Sequence, residues 1–134
     1  MKQQMAGFLS RWLRRMLGGD AMTPPPTRRV GMVVGLKPEH IDEYKRLHAD
    51  AHPGVRDLLR HYHLHRFSIF LHRIDGKWYE FGYYEYTGND FDGDMARMNA
   101  EPRIKEWLKR CDPMQSPLPG EEGWAIMEQV YHNP

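Results

Sequence analysis

Two runs rich in aromatic and β-branched residues, Leu64 to Ile74 and Lys77 to Thr87, are separated by the dipeptide Asp75-Gly76. Asp-Gly between two strand-like runs is a strong hairpin signal, because the tight turn needs positive φ at both of its central residues. This ties residues 64–87 into an antiparallel pair around which the rest of the chain must be arranged. In the first run Phe67, Ile69 and Leu71 fall on one face, and Ser68, Phe70 and His72 on the other. The second run is dominated by Trp and Tyr. It carries Glu80 and Glu85 with opposite facing, a spacing at which at least one is read as solvated.

The flanking segments supply the partners of this hairpin. Arg29 to Leu36 alternates Val30, Met32 and Val34 with Gly31, Val33 and Gly35 and reads as a mostly buried strand. Lys37-Pro38-Glu39 opens a helix, with Pro38 tolerated in its first turn. An apolar stripe then runs through Ile41, Tyr44, Leu47 or His48, Ala51, Val55, Leu58, Leu59 and Tyr62, and Pro53 must kink or restart it. Asn89 or Asp90 can cap a helix over Asp90 to Ala100, followed by a second over Pro102 to Cys111. Asp112 to Gly123 reads as a Pro/Gly-rich loop and Trp124 to His132 as a closing strand.

The order strand, helix, strand, strand, helix, strand is that of an α+β, ferredoxin-like domain, an antiparallel sheet with helices on one face. The bare face of such a sheet has to be covered. Packing of two sheets in a homodimer, the dimeric α+β barrel arrangement, is the expected solution.

Residues 1–27 differ in character from residues 28–134, which read as the single domain. Met5, Phe8, Leu9, Trp12, Leu13, Met16 and Leu17 recur at helical spacing among Arg11, Arg14 and Arg15, and no acidic residue precedes Asp20. This is the pattern of a basic amphipathic helix, followed by a linker at Gly18-Gly19 and Pro24-Pro25-Pro26. The expectation is a mobile extension, with membrane contact the less favoured reading and Met22 an alternative start. No apolar run reaches the ~20 residues of a spanning helix. The single Cys111 cannot form an internal disulfide or supply a Cys-based zinc site, which points to a reducing, cytoplasmic setting. A net charge of +1 argues against a nucleic-acid binder.

Candidate chemistry gathers in a few places. Tyr44 and His48 are four apart and share a helix face, so a phenol and an imidazole can act together on a proton there, or both can be core residues. His48 and His52 have the spacing of paired zinc ligands. They enclose Ala-Asp-Ala without the Glu of the zinc-protease motif, so no metal is assigned. His61, His63 and His65 alternate at a helix-to-strand junction. Trp107, Asp112 and Met114 lie where the second helical region meets the loop. An indole that stacks on a sugar face beside a carboxylate that accepts hydrogen bonds from hydroxyls fits there, as does a plain helix-core tryptophan. Phosphate-binding glycine loops and serine or cysteine hydrolase signatures are missing from the sequence.

The stretch Arg29 to His132 resembles the L-rhamnose mutarotases. The resemblance is carried by EYKRLH (Glu43 to His48), SIFL (Ser68 to Leu71), EWLK (Glu106 to Lys109) with DPMQS (Asp112 to Ser116), and MEQVYH (Met127 to His132). It implies a dimeric α+β isomerase that needs no metal or cofactor and acts on a small sugar. It also implies that His48 is the catalytic histidine and Tyr44 a substrate-contacting tyrosine. Two positions depart from the family: Phe67 stands where the family has a tyrosine, and Glu106-Trp107 where it has a tryptophan pair. In the mechanism this implies, His48 gives a proton to the ring oxygen while Tyr44 or a water orients or deprotonates the anomeric hydroxyl. Trp107 and Phe67 pack on the sugar's apolar face and Asp112 binds hydroxyls. The competing readings are a cofactor-free oxygenase or haem-degrading enzyme on a similar dimeric barrel, and a sugar-binding module without turnover.

Overall fold

A computed structural model describes residues 23–134. The expected basic helix of the N-terminal extension lies outside them. Five strands form one antiparallel sheet: β1 (Arg28–Leu36), β2 (Leu64–Ile74), β3 (Lys77–Tyr86), β4 (Gln115–Ser116) and β5 (Ala125–Met127). The order is β2-β3-β1-β4, with β5 pairing the same edge of β1 as β4 but nearer its start. Among the described residues four α-helices accompany them: α1 (Ile41–His48), α2 (Arg56–His61), α3 (Phe91–Ala100) and α4 (Pro102–Cys111). This is the α+β arrangement expected from the element order.

The hairpin forms as its turn residues dictate. Asp75 and Gly76 take φ of 50° and 78°, and β2 then pairs β3 in register from Ile74↔Lys77 to Ser68↔Tyr83. Beyond Ser68 the strand carries one extra residue. His65 pairs Glu85 and Ser68 pairs Tyr83, so Arg66 and Phe67 together oppose Tyr84. The bulge, with Arg66 at φ 51°, leaves Phe67 stacked on Tyr84 at 5.3 Å and lets Arg66 reach Glu85 at 2.9 Å.

Strand alternation separates two sheet faces. Val30, Met32, Val34, Glu80, Tyr84 and Tyr86 are buried beneath the helices. Leu59, Tyr62, Phe91, Met95, Met98 and Trp124 pack on one half of that face, and Tyr44, Leu47, Cys111 and Met114 form a cluster with Leu36 over the other. On the opposite face Val33, Phe81 and Tyr83 are half-buried, and Phe70 is 65% exposed.

The long stripe of residues 39–62 divides where the proline requires it. α1 ends at His48, Ala49 is extended, and α2 starts three residues after Pro53. The Arg56 guanidinium closes the gap by donating to the carbonyls of His48 (3.2 Å) and Ala49 (3.0 Å), satisfying orphan acceptors at the end of α1. At α3, Asp90 accepts from the Gly93 N–H at 3.1 Å as the expected cap. The closing strand is shorter than the sequence suggested: only Ala125–Met127 pairs, and Val130 and Tyr131 stand exposed beyond it. The segment read as a plain loop holds a short helical turn at Asp112–Met114 and the two-residue β4.

Candidate active site

A cleft of about 730 Å³ opens between α1, α4 and the helix-covered face of the sheet. Tyr44, His48, Phe67, Trp107 and Asp112, scattered over 69 positions of sequence, all line it. The size suits a small organic ligand, and the lining has the mostly apolar, sparsely polar character of such sites.

His48 is held from both sides. Its ring stacks on Tyr44 with centroids 4.1 Å apart, and the Trp107 indole meets it edge-on at 5.2 Å. Its Nδ1 lies 2.8 Å from the Tyr44 carbonyl oxygen. A carbonyl only accepts, so Nδ1 carries the proton and Nε2 is left as the free nitrogen. Burial lowers the imidazole's proton affinity, the bond to the Tyr44 carbonyl partly opposes this, and Arg56 and His52 lower it further. His48 is therefore neutral at pH 7 with an acceptor lone pair, the state of a general base.

The Tyr44 hydroxyl is displaced upward, chiefly by burial and then by the nearby Glu80. It stays protonated at neutral pH, so it can orient a hydroxyl or donate to one but cannot deprotonate it. Asp112 sits at the cleft's margin, its carboxyl raised by partial desolvation. The Cys111 thiol, pushed up to about 12 mainly by burial, is an inert core group.

Trp107 depends on a glycine. Gly54 adopts φ +53°, and a Cβ there would lie 3.2 Å from the indole, so the ring rests against bare backbone. His52 flanks the indole at 5.8 Å, and its Nδ1 accepts from the Gly54 N–H at 3.1 Å. The zinc-like spacing of His48 and His52 thus has no helical counterpart, since His52 lies beyond the end of α1. Among the described residues no three His, Cys, Asp or Glu side chains converge as metal ligands would.

Residues in and behind the cleft wall escaped the sequence reading. Gln115 and Trp124 also line the cleft, delivered by the segment read as a loop and by the approach to the last strand. Glu80, directly behind the wall, is 1% exposed. It shares strand parity with Gly82, Tyr84 and Tyr86, a signal that was present in the sequence. Of the two departures from the family pattern only Phe67 touches the cleft; Glu106 lies on the solvent side of α4, 3.7 Å from Lys109.

Comparison with known proteins decides among the readings. The L-rhamnose mutarotase family model matches residues 29–133. The chain belongs to the L-rhamnose mutarotase family. Among curated proteins it is 27% identical over 110 residues to the L-rhamnose mutarotase of Ligilactobacillus salivarius, covering 79% of this chain and 97% of that one. It is 28% identical over 107 residues to the L-rhamnose mutarotase of Lactiplantibacillus plantarum, covering 78% and 96%. The crystal structure of an L-rhamnose mutarotase from Formosa agariphila superposes with a TM-score of 0.56 at 18% identity, covering 80% of this chain and 99% of that one, which establishes the shared fold. As a family member the protein is an isomerase that interconverts sugar anomers. The oxygenase and binding-module readings receive no support from these relatives.

Proposed function

We propose that the cleft opens and recloses the ring of L-rhamnose or a related deoxy sugar, with His48 as its proton carrier. The observation that carries this is the geometry of His48: a neutral imidazole with Nδ1 bound to the Tyr44 carbonyl and Nε2 free. Ring opening breaks the O–H bond of the anomeric hydroxyl and the bond between the anomeric carbon and the ring oxygen. Nε2 takes the hydroxyl proton. As the ring bond breaks and the aldehyde forms, the resulting imidazolium gives that proton to the ring oxygen. The two oxygens are bonded to one carbon, so a single imidazole can serve both. Rotation about the adjoining carbon–carbon bond presents the other aldehyde face, and the same steps run backwards to the second anomer. No proton is gained or lost overall.

The remaining residues hold the sugar. Tyr44 orients the anomeric hydroxyl, Asp112 accepts from ring hydroxyls, and Trp107 and Phe67 cover the apolar face and the methyl group. Phe67 offers no hydroxyl, which favours a sugar presenting an apolar edge there. The sheet face opposite the helices, with half-buried Val33, Phe81 and Tyr83 around the exposed Phe70, suits pairing with a second copy, so the working form is a homodimer. A cytoplasmic setting fits the single buried thiol. Among the described residues no helix is long and apolar enough to cross a membrane.

The test is saturation-transfer NMR between the α and β anomers of L-rhamnose, and then of L-fucose, with wild type and His48→Ala. Exchange accelerated by the wild type should fall by ~10²–10⁴-fold in the variant, the usual worth of positioned acid–base catalysis. Wild-type protein that leaves every anomer pair at its solvent rate refutes the proposal.

A further inference from the structure

Behind the cleft lies a carboxyl group that the proton relay above leaves unused. Glu80 sits mid-strand in β3, opposite Val34 of β1 and Leu71 of β2. It is 1% exposed and neither of its oxygens makes a hydrogen bond of standard geometry, the Tyr44 phenol being the one side chain whose hydrogen bonding acts on it. An unsatisfied buried carboxyl is costly and calls for an explanation. Its cross-strand neighbours are apolar. From the helices, Tyr44 of α1 and Cys111 of α4 feel its charge, and Gln115 of β4 acts on the same Tyr44 phenol. Among the described residues no basic side chain acts on its titration. The phenol thus has His48 stacked on its ring and an unpaired carboxyl beside its hydroxyl.

Building on the mutarotase reading, we propose that Glu80 is a positioning residue that sets which way the Tyr44 hydroxyl proton points. A protonated Glu80 donates to the phenol oxygen and leaves the phenol proton free for the sugar. That proton then stabilises the negative charge growing on the anomeric oxygen while His48 removes its hydrogen. An ionised Glu80 instead accepts the phenol proton and withdraws it from the cleft. The productive state combines neutral His48 with protonated Glu80. Burial pushes the Glu80 carboxyl up to about 7, and Tyr44 draws it back, so the two arrangements exchange near neutrality. The exchange rate should therefore rise as His48 deprotonates, at a pH below its usual 6.5, and fall again as Glu80 ionises.

Two measurements on the full chain test this. The first needs no substrate: NMR titration of protein carrying ¹³C-labelled glutamate side-chain carboxyls, in wild type and Tyr44→Phe, with Glu80→Gln assigning the signal. The Glu80 carbon should titrate near neutrality, and its midpoint should rise when the phenol that lowers it is removed. The second is the pH profile of anomer exchange, corrected for the solvent rate. Wild type should lose about tenfold between its optimum and pH 8. Glu80→Gln, whose amide donates to the phenol at every pH, should keep its rate flat over that range. Glu80→Leu should be slow throughout and show no alkaline limb. A carboxyl midpoint unmoved by Tyr44→Phe, or an alkaline limb that persists in Glu80→Gln, overturns the proposal. Wild type that exchanges no sugar sinks the mutarotase reading instead, and the carboxyl titration then decides the Glu80–Tyr44 coupling alone.

Discussion

Replacing Glu80 by Gln should make the protein more stable at alkaline pH than at acid pH, relative to wild type. An unburied glutamate titrates near 4.5, whereas burial pushes Glu80 up to about 7 in the folded protein. Each tenfold change in proton affinity is worth about 1.4 kcal/mol. Ionising Glu80 in place is therefore about 3 kcal/mol more costly than ionising it in the unfolded chain. The sign follows from linkage: a carboxyl raised by folding contributes stability that is fully present below pH 4.5 and is lost as pH rises through 7. Glutamine has the same size and does not titrate, so its contribution is constant. Urea unfolding of both proteins at pH 4.5 and pH 8.5 gives two differences in unfolding free energy. Every other titrating group is common to both chains and cancels, as does any fixed change from the amide. The difference should move by about 3 kcal/mol in favour of the variant between the two pH values. If it moves by less than about 1 kcal/mol, the carboxyl is hydrated or paired, and the desolvation argument for Glu80 is wrong.

Three further outcomes are expected. Anomer exchange should decline on acidification with a midpoint below 6.5, because burial and Arg56 depress the His48 imidazole and only its neutral form accepts a proton; a midpoint at or above 6.5 would contradict this. Gly54→Ala should cut the exchange rate on the order of tenfold by displacing the Trp107 indole and straining a backbone at φ +53°. Tryptophan fluorescence that stays identical to wild type would show that the indole never moved. Phe70→Asp, on a side chain 65% exposed in the single chain, should dissociate the proposed homodimer at little cost to the fold of each copy, as read by sedimentation velocity. A dimer of unchanged affinity would mean that this face is not the interface.

Much of the architecture was legible because it rests on local rules. The Asp75-Gly76 turn, the alternation in β1 and the break imposed by Pro53 depend on backbone sterics and side-chain parity, which any sequence displays. The last strand was overdrawn for a different reason. Val130 and Tyr131 have the composition of a strand but meet no strand partner among the described residues, and pairing is a tertiary fact. β4 was invisible because two residues carry no period; its position follows from where α4 delivers the chain beside Gly35. Spacing or family likeness named Tyr44, His48, Phe67, Trp107 and Asp112, and the fold brings all five to one cleft. What spacing could not give was the His48 tautomer, which hangs on one carbonyl 2.8 Å away, or the burial of Glu80. Parity set that carboxyl opposite to Glu85 and left at least one of the two solvated, and only helix packing decides which face stays dry.

The placement of β1 has a consequence for how the polypeptide is made. β1, which leaves the ribosome before the other described strands, ends up in the interior of the sheet, with β3 on one side and β4 and β5 on the other. One of its edges waits for residues 77–86, and the other for residues 115–127. At ordinary elongation rates the second wait lasts on the order of ten seconds. During that interval the β2–β3 hairpin and the helices can form from nearby residues, while a strand of Val and Met stays open on one side to any passing segment that can zip onto it. A nascent chain stalled before Trp124 would hold every residue assigned a role in proton transfer and still lack β5, the second closing segment of that edge. Closure of that edge of β1 is thus tied to delivery of residues 115–127, and the strand is most exposed to misassembly until they arrive.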